Sequence, residues 1–68
     1  MLEQVLLTVD TVNAAFEEDP GAELARVLRA FCDQLDAGER PNVGRDINGN
    51  VVLRVRYHHT LPVIVTFG

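Results

Sequence analysis

Apolar residues recur along this chain with two different periods. In the middle, Leu24, Val27, Leu28, Phe31 and Leu35 stand at offsets of 0, 3, 4, 7 and 11, which is one stripe of an α-helix. Asp19 suits the N-cap, because its carboxylate can accept a free N–H of the first turn. Pro20 suits the first helical position and Gly38 the stop. These signals predict a helix over residues 20–37. Elsewhere the period is two. In residues 4–9, Val5, Leu7 and Val9 share one face and Leu6 and Thr8 the other, predicting a strand with both faces partly covered. In residues 50–58, Val51, Leu53, Val55 and Tyr57 point inward, while Val52, Arg54, Arg56 and His58 point outward. Residues 61–67 alternate again, with Leu61, Val63, Val65 and Phe67 inward, and Pro62 confines that strand to a start or an edge.

The joints between these segments are also readable. Asn48-Gly49 predicts a two-residue type I′ turn joining strands at 43–47 and 50–58, since both central residues of that turn need positive φ. Asn13-Ala14-Ala15-Phe16 predicts one helical turn with Phe16 inward. Pro41 keeps the helix from continuing through residues 39–44, and His59-Thr60 predicts a second turn. The order is β-α-β-β-β. The predicted fold class is α+β: a small two-layer domain, 1–68, with a mainly antiparallel sheet and one helix packed on one face. A right-handed crossover joins the first strand to the second. Arg54, Arg56, Leu6 and Ile64 make the other sheet face a mixture, as expected of a face partly covered by a second subunit.

Length sharpens that last point. A chain of 68 residues buries only about 60% of its unfolded surface, so domains of this size often need a staple. Cys32 is the single cysteine and cannot form an internal disulfide. Oligomerisation is the remaining supplement, and a homodimer is expected. The net charge of −4, with ten acidic residues against six basic, argues against nonspecific nucleic-acid binding and suits a basic protein partner. All six basic residues are Arg, so no Lys is present for a Schiff base. No apolar run approaches the roughly 20 residues that span a bilayer. Residues 1–9 lack a basic leader, and Glu3 interrupts their apolar run. A cytoplasmic protein with no membrane contact is expected.

Candidate chemistry is sparse. Cys32 lies beside the helix stripe and reads as a buried, inert thiol. His58 and His59 are adjacent, so on a strand they face opposite ways and share no metal. A two-layer domain this short leaves little room for a ligand cavity of roughly 300 Å³ or more. The reading is therefore non-enzymatic, without cofactor or metal. Glu17, Glu18, Asp19 and Glu23 form the densest acidic run. Together with Asp33 and Asp36 near the helix end they are the candidate partner-binding residues. Asp33 and Asp36 oppose the helix dipole, and Arg29 is placed to pair with Asp33. The alternative is a nucleic-acid surface of Arg54, Arg56 and Tyr57, with Arg45 nearby.

Three segments carry a resemblance: Asn13-Ala14-Ala15-Phe16, Glu23-Leu24-Ala25-Arg26-Val27-Leu28-Arg29, and Gly44-Arg45-Asp46-Ile47-Asn48-Gly49-Asn50-Val51. In this order they resemble a group of short uncharacterised bacterial and phage proteins, over roughly residues 4 to 56. Those have a strand, an Asp-Asn-Ala-Ala-Phe motif, an amphipathic helix and an Arg-Asp-Ile-Asn-Gly-Asn hairpin. The chain departs from that pattern at Val12, where the group has Asp, and at Leu53, where it has Gly, a change expected to straighten the strand. The tail from Tyr57 to Gly68 is also longer. The resemblance brings no catalytic residue with it. It implies a phage or mobile-element setting, where small acidic proteins are often inhibitors of host defence, including those of anti-CRISPR type. Asp46, Asn48 and Asn50 are expected to build the turn.

Overall fold

A computed structural model describes residues 2–59 of the chain. Strand β1 (Leu2–Val9) leads through a 3-10 turn (Ala14–Phe16) to helix α1 (Pro20–Asp36), followed by strands β2 (Val43–Arg45) and β3 (Val51–His59). The sheet order is β1-β3-β2, and both outer strands run antiparallel to β3. β1 and β2 are thus parallel to each other with β3 between them. The expected α+β layering of one helix on an antiparallel sheet is observed. The predicted strand at 61–67, Ile64 with it, and Thr60 of the predicted second turn lie outside the described residues. His59 itself continues β3.

The helix forms where its period and caps place it. Asp19 accepts the Ala22 N–H at 3.0 Å, and Pro20 opens the first turn. At the other end Gly38 takes φ +87°, its N–H donates to the Leu35 carbonyl, and the Glu39 N–H donates to that of Gln34. This paired closure satisfies two orphan carbonyls and needs the left-handed residue that glycine supplies. Val27 and Phe31 are buried against Val52, Leu53 and Val55 of β3 and Phe16 of the 3-10 turn. Leu24, Leu35 and Tyr57 pack half-buried around them. Phe16 is buried as expected.

Three readings of the strands need correction. The first concerns the turn. The Asp46 N–H donates to the Asn50 carbonyl (2.9 Å) and the Gly49 N–H to the Asp46 carbonyl (3.0 Å). Gly49 has φ +86°, while Asn48 does not reach positive φ. The loop is therefore three residues, a turn over Ile47 and Asn48 closed by a left-handed glycine, rather than a two-residue type I′ turn. The strands flanking it are accordingly shorter at their loop ends than the predicted arms. The second concerns β3. Gly44 faces Leu53 but Arg45 faces Val51, so Val52 is an extra residue against β2. This bulge breaks the strict alternation, and Val52, predicted outward, is fully buried beside Leu53. The third concerns β1. Predicted to be partly covered on both faces, it is exposed along Leu2–Thr8, because it forms a sheet edge while α1 packs toward β2 and β3.

Leu53, the departure from the resembled pattern, sits in β3 without interrupting it. Its bulk fits because the facing residue has no side chain. A Cβ placed on Gly44 would come within 2.9 Å of Leu53 Cδ2.

Candidate functional site

The three segments that carry the resemblance meet at the hairpin loop. The Asp46 side chain is 4% exposed, yet it is a carboxylate, so it persists there only with partners. Its Oδ1 accepts the backbone N–H of Asn48 (3.0 Å) and of Asn50 (2.8 Å). Its Oδ2 accepts the side-chain amides of Asn50 (3.2 Å) and Asn13 (3.3 Å). Burial pushes the Asp46 carboxyl up, but the Asn50, Asn13 and Asn48 donors together outweigh it and hold it below the ordinary 3.8. From the helix, Glu23 Oε2 accepts the Ile47 N–H at 2.8 Å. Arg26 grips both Glu23 oxygens at 2.6 and 3.0 Å and also donates to the Arg45 carbonyl at 3.2 Å. The Arg26 hydrogen bond lowers the Glu23 carboxyl below 4.5, with burial opposing it and the Ile47 N–H assisting. The same pair raises the Arg26 guanidinium above its ordinary value, chiefly through the Glu23 hydrogen bond.

The candidate acidic residues therefore separate. Glu23 is buried, and both of its oxygens are engaged within the fold. Asp19 is exposed and serves as the helix cap. Glu17 and Glu18 are exposed just before α1, and Asp33 and Asp36 are exposed in its last turns. The two exposed groups stand on the order of 20 Å apart along the helix axis, from a rise of ~1.5 Å per residue. Among the described residues the ion pairs are Arg26–Glu23 and Arg54–Asp10, the latter at 3.1 Å. Arg29 does not pair with Asp33.

No protein-family model, curated protein or solved structure matches this chain.

The arginine face is also divided. Arg54 and Arg56 are exposed on the sheet face away from the helix, and Arg54 is tied to Asp10. Tyr57 lies on the opposite face, where its hydroxyl donates to the Pro41 carbonyl at 2.7 Å. Arg45 donates to the Gly49 carbonyl and braces the hairpin. His58 and His59 are both exposed at the end of β3. Among the described residues no three His, Cys, Asp or Glu side chains converge on a point that could hold a metal ion. None of the described helices is long and apolar enough to cross a membrane. Cys32, expected to be buried, is exposed, because it lies one position past Phe31 and so about 100° round the helix from the buried stripe.

Two clefts of about 540 and 430 Å³ flank the helix, larger than the length alone suggested. Both open to the surface. The smaller is the more apolar and runs between β1 and the end of α1, with Val5, Leu7, Phe31, Leu35 and Tyr57 in its walls. Sequence reasoning placed Asp46 among the residues that build the turn but gave the turn's geometry to Asn48-Gly49, without foreseeing that four donors converge on the Asp46 carboxylate. The signal was present: an Asp two residues before one Asn and four before another is the spacing at which a carboxylate collects backbone N–H groups.

Proposed function

We propose that this chain is a non-enzymatic protein-binding module that acts by covering a basic surface of a host or phage protein. The disposition of charge supports this reading most directly. Arg26 and Arg54 are each paired within the fold. Glu17 and Glu18 at one end of α1, and Asp33 and Asp36 at the other, are exposed without an ion-pair partner among the described residues. Arg29 and Arg40 flank the second group and are likewise without an ion pair among the described residues, so the excess of negative charge is greatest at the start of α1, where it can steer a basic partner onto the surface. Glu23 belongs to the scaffold of this surface rather than to its contact layer. The nucleic-acid alternative would have to work with Arg54 and Arg56 alone, since Tyr57 stands on the other face. The setting implied by the resemblance makes such occlusion an inhibition of host defence, of the anti-CRISPR type.

The test is capture of partners from lysate of the host by the tagged chain, at two salt concentrations. A specific partner is expected whose retention falls with salt. Its affinity should drop at least tenfold when Glu17 and Glu18 are both replaced by Lys. Capture that ignores these replacements, or no partner at all, sinks the reading.

A further inference from the structure

Among the described residues β1 is an unprotected sheet edge. Natural edges are blunted with Lys, Pro or inward charge, and none of these occurs between Gln4 and Val9. Leu2, Val5, Leu6 and Leu7 are instead 36–46% exposed. The polarity of the backbone can be read from one bond. The Asp10 N–H donates to the Val52 carbonyl at 2.9 Å. Alternation in an antiparallel ladder then turns the N–H and C=O groups of Gln4, Leu6 and Thr8 toward β3. Those of Val5, Leu7 and Val9 point out of the sheet.

We infer that this edge pairs with the same edge of a second copy, antiparallel, with the two Leu6 residues opposite each other on the two-fold axis. The register follows from what each choice brings together. The bulge in the β1–β3 pairing between Leu2 and Gln4 ends the regular edge at its N-terminal side, and within the regular stretch Gln4–Val9 an axis through Leu6 lets the outward groups of Val5 and Leu7 meet. About that axis Val5 meets Leu7, Gln4 meets Thr8 and Glu3 meets Val9. Within Gln4–Thr8 apolar residues face apolar ones and polar face polar, no acid faces an acid, and Glu3 meets Val9 only where the bulge has already ended the regular ladder. Centring on Leu7 would put Leu6 against Thr8 and Gln4 against Asp10. Centring on Val5 would put Glu3 against Leu7. In the Leu6 register Val5 and Leu7 pair across the interface on the cleft side, so the two apolar clefts adjoin. The axis is perpendicular to the sheet, so both helices lie on one side.

The size of the contact sets its strength. Six residues make an edge ~20 Å long, and a strip of that length falls well short of the roughly 800 Å² per partner of a standard stable interface. The dimer is therefore weak and reversible. It also joins two molecules of net charge −4, so added salt strengthens it by screening their repulsion. A basic partner on the helix ends responds to salt in the opposite direction, and this separates the dimer from the binding reading above, on which it does not depend.

Sedimentation of the full chain from micromolar to millimolar concentration tests this. The apparent mass should double across the range, and at lower concentration in higher salt. Leu6→Lys should keep the chain monomeric with an unchanged circular dichroism spectrum, because Leu6 lies outside the buried core. In a Cys32→Ser background, Leu6→Cys should form an interchain disulfide with oxidised glutathione, since a non-hydrogen-bonded antiparallel pair brings Cα atoms to ~4.5 Å. Val5→Cys should not. Amide exchange of Val5 and Leu7 should slow with concentration, while that of Leu6 and Thr8 does not change. A monomer at every concentration overturns the inference and leaves the edge to residues 60–68 or to another protein. A dimer indifferent to Leu6→Lys, or equal crosslinking by Val5→Cys, overturns it as well.

Discussion

Asp46 does the work that turn chemistry alone would assign to Asn48-Gly49. Four N–H donors converge on its two oxygens, and Glu23 holds the neighbouring peptide from the helix. Both carboxyls titrate below their ordinary values of 3.8 and 4.5. A group with a depressed folded value stabilises the fold above its unfolded value, and that contribution is lost as pH falls through the folded one. The urea midpoint should therefore be level above about pH 5 and decline as the pH passes below 4.5 and then 3.8. Asp46→Asn replaces an acceptor oxygen with an NH₂ group that points at donors. It should lower the midpoint at pH 7, and the variant should lose less on acidification than the parent. Glu23→Gln should behave in the same way. Acid limbs that stay parallel to the parent would break the link to these two carboxylates.

At the scale of elements, the ends of α1 behave differently. Its start is capped and acidic, as the helix dipole favours, while its last turn carries Asp33 and Asp36 and no basic residue. Asp36→Gln should raise stability by about 0.3–1 kcal/mol, measurable by thermal melting, while weakening any basic partner that contacts this end. The helix was legible in the sequence because its signals are local: one period, one cap, one stop. The pairing of the strands was not, because the decisive contacts are far apart. Arg54 reaches Asp10 across 44 positions, and nothing local says that β1 lies at an edge. Burial of Val52 escaped for a related reason, since a bulge is set by the partner strand and leaves period two intact in the sequence. Of the acidic residues, Asp19 was recognisable as a cap. The burial of Glu23 was not, because it depends on a hairpin 24 residues away.

For the molecule as a whole, the margin is thin. A chain of this length has a stability of roughly 3–10 kcal/mol at ~0.05–0.15 kcal/mol per residue. Leu53 is fully buried at the centre of the central strand, and Leu53→Ala should cost about 2–5 kcal/mol. That is a large share of roughly 3–10 kcal/mol, and the melting transition should shift to clearly lower temperature or vanish in circular dichroism. A variant that melts like the parent would mean that Gly44 and its neighbours close the space left by the lost side chain.

The position of β3 also bears on how the chain is made. It is the partner of both other strands, and it follows both of them in the sequence. During synthesis β1 and β2 have nothing to pair with until β3 has been added. At ~5–20 residues per second the ribosome takes roughly 2–8 s to pass from the end of β1 to the start of β3. Until β3 follows it out of the ribosome, the emerging run of Val5, Leu6 and Leu7 has no strand to pair with and is open to chaperones and to other nascent chains.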